Sequence, residues 1–143
     1  MYSSLDDMIA QFGQRALVDL TDRDAPYSGK INAALLEEAL RQASALVDGH
    51  LAGRYALPLA HVPTLVARLT RSIAFYDLHI GAASEKAERD HKEAFAVLRD
   101  ISKGNVKLPA ELNAPAPTSE SDAEFIGGER AFTNSTLKGF MGC

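Results

Sequence analysis

Several things are scarce in this 143-residue chain, and each scarcity closes off a class of protein. There is one cysteine, Cys143, so an internal disulfide framework cannot form and the chain suits a reducing compartment. At a chain terminus that thiol also lacks a fixed base to make it a nucleophile. His50, His61, His79 and His91 never fall at the i, i+4 spacing of a helical zinc site, so no metal is expected. No glycine-rich phosphate loop ending in Gly-Lys-Ser/Thr is present, and Gly127-Gly128 alone signals only flexibility. The neighbouring carboxylates Glu37-Glu38 and Glu85/Glu88 read as solvated helix surface rather than an acid–base pair in a closed pocket. With no constellation to name, neither catalysis nor a cofactor is expected. No run approaches the ~20 apolar residues of a membrane span. The opening Met-Tyr-Ser-Ser-Leu-Asp-Asp is acidic rather than basic, so no secretory leader is expected, and Asn134-Ser135-Thr136 then has no glycosylating reader. Trp is absent and aromatics make up 7%, so the core must come from Leu, Ala, Ile and Val. A net charge of −4 argues against a protein that coats nucleic acid, though not against one that DNA passes through.

What is present is helical patterning at a length of one domain. The stretch from Ile31 to Leu59 organises the rest. Leu36, Leu40, Ala43, Val47 and Leu51 recur at three- and four-residue steps, one face of a helix running from about Lys30 to Leu51. Glu37, Glu38, Arg41, Gln42 and Asp48 make its opposite face wet. Gly53-Arg54-Tyr55 and the prolines Pro58 and Pro63 then impose an extended corner, because a proline disfavours helical geometry in the residue before it. A second long helix is expected from Pro63 to about Ile80, lined by Leu65, Leu69, Ile73, Tyr76 and Ile80 and closed by Gly81. Ser84 can cap a third, with Glu85 and Glu88 at its positive end and Ala87, Ala94, Phe95, Leu98 and Ile101 inward. Lys103 and Gly104 close it, cation then glycine. Before all of these, Ser4 caps a two-turn helix bearing Leu5, Met8, Ile9 and Phe12, and Gly13 ends it. Arg15 to Leu20 can add a turn before the loop Thr21–Gly29. The expected fold is all-α: a small bundle of three long helices plus a short N-terminal helix, over residues 1–109.

Past Leu108-Pro109 the character changes. Residues 110–143 carry two prolines, four glycines and six Ser or Thr, with net charge −3 against −1 for residues 1–109. They still hold Phe125, Ile126, Phe132, Leu137, Phe140 and Met141, which a freely solvated tail does not need. Burying those side chains does not by itself offset the entropy of ordering the backbone, so the segment needs backbone partners such as a neighbour's sheet edge or groove. We expect an extended C-terminal arm, mobile in a free subunit and ordered on assembly.

The residues from Ala43 to Pro63, ASALVDGHLAGRYALPLAHVP, resemble the Mu-like prophage neck proteins, a family of phage head-to-tail adaptors. That family carries an alanine-rich helix, an Asp, a Leu-x-x-Arg-Tyr, a Pro-Leu and a Val-Pro in this order. The resemblance extends to Tyr2 with Leu5–Phe12, to Leu20-Thr21-Asp22, to Ile73–Leu78 and to Ala94–Leu108. It covers about residues 1–109, with a weaker echo at Arg130-Ala131-Phe132 and Leu137-Lys138-Gly139-Phe140. It implies a structural virion protein of the neck, a homo-oligomeric, dodecameric ring. Its partners would be the portal protein above and the tail terminator protein below, with DNA only passing through the lumen and no membrane. Before this it would sit in the host cytoplasm during assembly.

Candidate interface residues follow from residue chemistry. Arg54 and Tyr55 supply a planar fork of donors and a rigid ring with a polar tip. An intramolecular use is equally open: Arg54 on carbonyls at the end of the central helix, or paired with Asp48 or Asp77, and Tyr55 under the proline corner. Arg68 and Arg71, one turn apart, form a small basic patch for a neighbour's acids or DNA. Phe125, Ile126, Phe132, Leu137 and Phe140 are the arm's candidates. The other class to weigh is a small helical DNA-binding regulator. Against it, the corner from Arg54 to Pro63 is too long and proline-rich for a helix-turn-helix, and the basic cluster is small.

Overall fold

The computed structural model describes residues 1–115. Five α-helices and a closing 3₁₀ turn succeed one another: α1 Leu5–Phe12, α2 Gln14–Thr21, α3 Ala33–Leu51, α4 Thr64–Asp77, α5 Glu85–Lys103, then Ala110–Leu112. Helices α3, α4 and α5 pack against one another as a bundle, and α1 lies across α3.

Local chemistry sets most of the boundaries. Ser4 and Asp7 form a complete capping box: the Asp7 amide donates to Ser4 Oγ at 3.2 Å and the Ser4 amide to the Asp7 carboxylate at 3.0 Å. Gly13, at φ +88, ends α1 and at once begins α2, so the expected extra turn after the first helix is a separate eight-residue helix. Asn32 caps α3 by accepting from the Leu35 amide, which puts that helix's start at Ala33 rather than Lys30. Ser84 caps α5 by accepting from the Ala87 amide. In the α2–α3 loop the Asp22 carboxylate gathers the Gly29 amide at 2.8 Å and the Ser28 amide at 3.2 Å.

The core is the one the periodicity implies. Leu36, Leu40, Val47 and Leu51 of α3, Leu69 and Ile73 of α4, and Leu98 and Ile101 of α5 are all buried. Each deeply buried Leu or Ile contributes on the order of 1.5–3 kcal/mol over its exposed state. On α4 the buried stripe also takes in Val66, Thr70 and Ala74, which the expected face did not include, while Leu65 and Tyr76 are only partly buried and Ile80 is outside altogether. Helix α4 stops at Asp77, and Ile80 is 78% exposed in the turn that follows. The stop is tertiary. Leu78 turns into the core, the Arg23 guanidinium takes the Leu78 carbonyl, and the His79 ring nitrogen Nδ1 lies 2.9 Å from the Phe75 carbonyl, within donating range when protonated. The last carbonyls of α4 are thus claimed by side chains instead of another turn.

Every buried polar side chain among the described residues has a partner. Ser44 and Thr70 donate back to carbonyls four residues earlier. Ser44 also accepts the Tyr2 amide, and the Tyr2 hydroxyl donates to the Asp48 carboxylate, so the first residues are stitched to α3. Burial, then the hydrogen bond and negative charge of Asp48, push the Tyr2 phenol well above its ordinary range and hold it protonated.

Candidate assembly surfaces

The proline corner is built around Arg54 and Tyr55, and both are engaged within the subunit. After Leu51 the chain turns through Gly53, at φ +91. The Tyr55 ring is 6% exposed, and its hydroxyl accepts from the Leu108 amide at 3.0 Å. Next to it the chain returns: Ala56 donates to the Leu112 carbonyl at 2.8 Å and Ala114 to the Arg54 carbonyl at 2.9 Å. These bonds frame an antiparallel bridge between Tyr55 and Asn113. Leu112 is buried at the same place. Residues 110–114 therefore fasten onto the corner.

Arg54 pairs with neither Asp48 nor Asp77. Asp48 is taken by Tyr2. Arg54 instead donates from Nε to the Ser102 carbonyl at 2.6 Å, one of the free carbonyls at the negative end of α5. The carbonyl expectation was right in kind and wrong in helix: Arg54 caps α5, not α3. Its guanidinium lies flat on Gly104, where a Cβ would come within 2.9 Å of Nη1. Gly104 has φ +86 and closes α5, so that position needs glycine twice over, for its backbone and for its lack of a side chain.

Arg68 and Arg71 do not act as one patch. Arg71 donates to the Gln11 side chain and, from Nη1, to Ser3 Oγ at 3.3 Å, fastening α1 to α4. The Asp7 carboxyl is held below its usual range chiefly by the Ser4 amide and hydroxyl, then Ser3, with a minor contribution from Arg71. Arg68 is exposed on the rim of a groove between α4 and α5, flanked by α1. The groove consists of two adjoining depressions of about 220 and 300 Å³, which share Gln11, Ser72, Lys86 and Asp90. Leu65, Leu69 and Val97 line one, Phe12 and Phe75 the other. Two such small, open depressions suit individual side chains rather than a whole enclosed ligand.

Beside the groove, side chains stack in a series that spacing did not reveal. Phe12 stacks on Phe75 with centroids 3.9 Å apart, and Tyr76 on His91 at 4.0 Å. Three of the four histidines, His50, His79 and His91, pack against aromatic rings of this series. Among the described residues no group of three or more His, Cys, Asp or Glu could hold a metal ion, and no helix is long and apolar enough to cross a membrane. The arm candidates Phe125, Ile126, Phe132, Leu137 and Phe140 lie outside the described residues.

A model of the family described as Bacteriophage Mu, Gp36 matches residues 2–126. The chain belongs to that family. Two similar proteins span the same length: the Mu-like prophage FluMu protein gp36 of Haemophilus influenzae Rd, 27% identical over 99% of both chains, and Gene product J of Escherichia phage Mu, 26% identical over 98% of this chain and 99% of that one. The likeness to the Gp36 family thus runs past the 1–109 region that carried the resemblance in the sequence, through the clamped residues 110–114 and on to residue 126. Membership of a Mu-like phage protein family, which the motifs implied, is shown by these matches.

Proposed function

We propose that this protein is a structural component of a Mu-like phage particle, the head–tail connector of the neck. In this reading identical subunits form a ring between the portal and the tail terminator, DNA passes through the lumen, and no chemistry is catalysed. The observation that carries the reading is a match to the Mu Gp36 family across almost the whole chain, arm included.

The physical features support it. A closed ring of identical subunits needs heterologous contacts, in which one patch meets a different patch on the next copy. A bundle with an open groove on one face and an arm rooted at another corner can supply the two patches. A body of net charge −1 over residues 1–109 does not grip a polyanion, which suits a channel that DNA traverses.

Quantitative peptide mass spectrometry of purified, finished particles tests this, with the portal protein as internal reference. A fixed ratio corresponding to one ring per particle is the expected result. Absence from mature particles would overturn it and leave an assembly factor or a regulator.

A further inference from the structure

We propose that the groove between α4 and α5 receives the C-terminal arm of a neighbouring copy, with Phe125 seated in the depression lined by Leu65, Leu69 and Val97; this rests on the ring reading above.

The route of the chain is the first support. The clamp at Tyr55 and Asn113 fixes the point of departure at the corner where α3 and α5 end. Residues 116–143 remain beyond it, a reach of up to ~90 Å when extended. Departure corner and groove are different surfaces of one molecule. An arm given from one and received by the other is a head-to-tail contact, the kind that closes into a ring.

Length and charge agree. The groove follows α5 from Ser84 to Val97, ~20 Å at the helical rise. An extended segment from Glu120 to Ile126 spans about the same distance. That segment has three acids, Glu120, Asp122 and Glu124, leading directly into Phe125-Ile126. On the groove's α4 rim stands Arg68, whose guanidinium has no ion-pair partner among the described residues. The other charges on the lining are Lys86, paired with Asp90, and Glu93, so Arg68 is the cation left for the arm's acids, beside the apolar Leu65, Leu69 and Val97.

The test replaces Phe125 with p-benzoylphenylalanine. That full-length chain is assembled with an excess of ¹⁵N-labelled unmodified chain, irradiated, and mapped by mass spectrometry, with native mass measured in parallel. The expected result is crosslinks from position 125 of the light chain to heavy peptides containing Leu65–Ser72 or Lys86–Val97. Crosslinks confined to one chain would overturn the exchange in favour of an arm folded back on its own body. A ring by native mass with crosslinks elsewhere, or none, would overturn the docking site and leave the ring standing. A protein that stays monomeric at every concentration and gives no crosslink between chains would overturn both. Arg68→Glu, an exposed change outside the core, is expected to weaken subunit association at least about tenfold at low salt, with the deficit shrinking as salt screens it. An unchanged association constant would overturn the charge complementarity.

Discussion

Gly104 and Tyr55 show how individual residues hold the corner. At Gly104 an L side chain meets an unfavourable positive φ and the guanidinium of Arg54 together. Gly104→Ala is expected to cost about 1–2 kcal/mol, with the Arg54 cap displaced from Ser102 as the side chain yields. Chemical denaturation would measure the loss, and Arg54→Ala in the same background should then cost little more, because the two changes disturb one contact. Tyr55→Phe keeps the ring and removes the acceptor of the buried Leu108 amide. Leaving that donor unmet is expected to cost about 1–3 kcal/mol, and hydrogen exchange at Leu108 should rise more than in the centre of α3. Neither role was legible in the sequence beyond residue type. Arg54 and Tyr55 stood out as chemically capable, but their partners are Ser102 and Leu108, about fifty positions away, and no spacing rule connects them.

Elements were far more legible, for a physical reason. Helices α3 and α5 bury one stripe each, so their apolar residues repeat with the helical period, and the caps Ser84 and Gly104 are local signals; Asn32 is one too, but a start at Lys30 passes over it. The end of α4 was misread because its apolar pattern continues to Ile80, while the chain actually stops where Arg23 and His79 take its carbonyls. Helix α1 is a case in between: its cap was readable, its docking was not. Eight residues are too few to be stable alone, so α1 depends on its capping box and on Arg71. Asp7 links this element to pH. Its carboxyl lies below the ordinary range in the folded chain, so its contribution is present above about pH 4 and is lost as pH falls through the folded value. Asp7→Asn is expected to lower the melting temperature at pH 7 and to converge with the parent at a pH well below the ordinary carboxylate range. The carboxylate is exposed, so the loss should fall well below the ~1 kcal/mol of a complete helix cap. Thermal melts at the two pH values check both sign and convergence.

At the scale of the whole molecule, the composition change at Pro109 suggested that the body ends there, whereas the packed structure continues to Ala114. Two bonds and one buried leucine, spread over five residues, have no period to read, so the clamp was invisible to pattern. The two possible ends make different predictions. A chain stopped after Pro109 loses Leu112 from the core, exposes the edge of Tyr55, and leaves the Ala56 amide and Arg54 carbonyl without their partners. Removing a buried leucine alone costs about 2–5 kcal/mol, so this chain should melt roughly 10 °C or more below the full-length protein. A chain stopped after Pro115 retains the clamp and every core residue identified in the bundle. It should melt within a few degrees of the full-length protein and yet fail to form rings, because on the proposed exchange the segment it lacks is the one given to the neighbour. Calorimetry paired with native mass on the two truncations separates folding from assembly. Equal melting losses in both would mean that the bundle depends on the arm beyond Pro115, and rings from the shorter-armed chain would mean that the bundle faces alone close the circle.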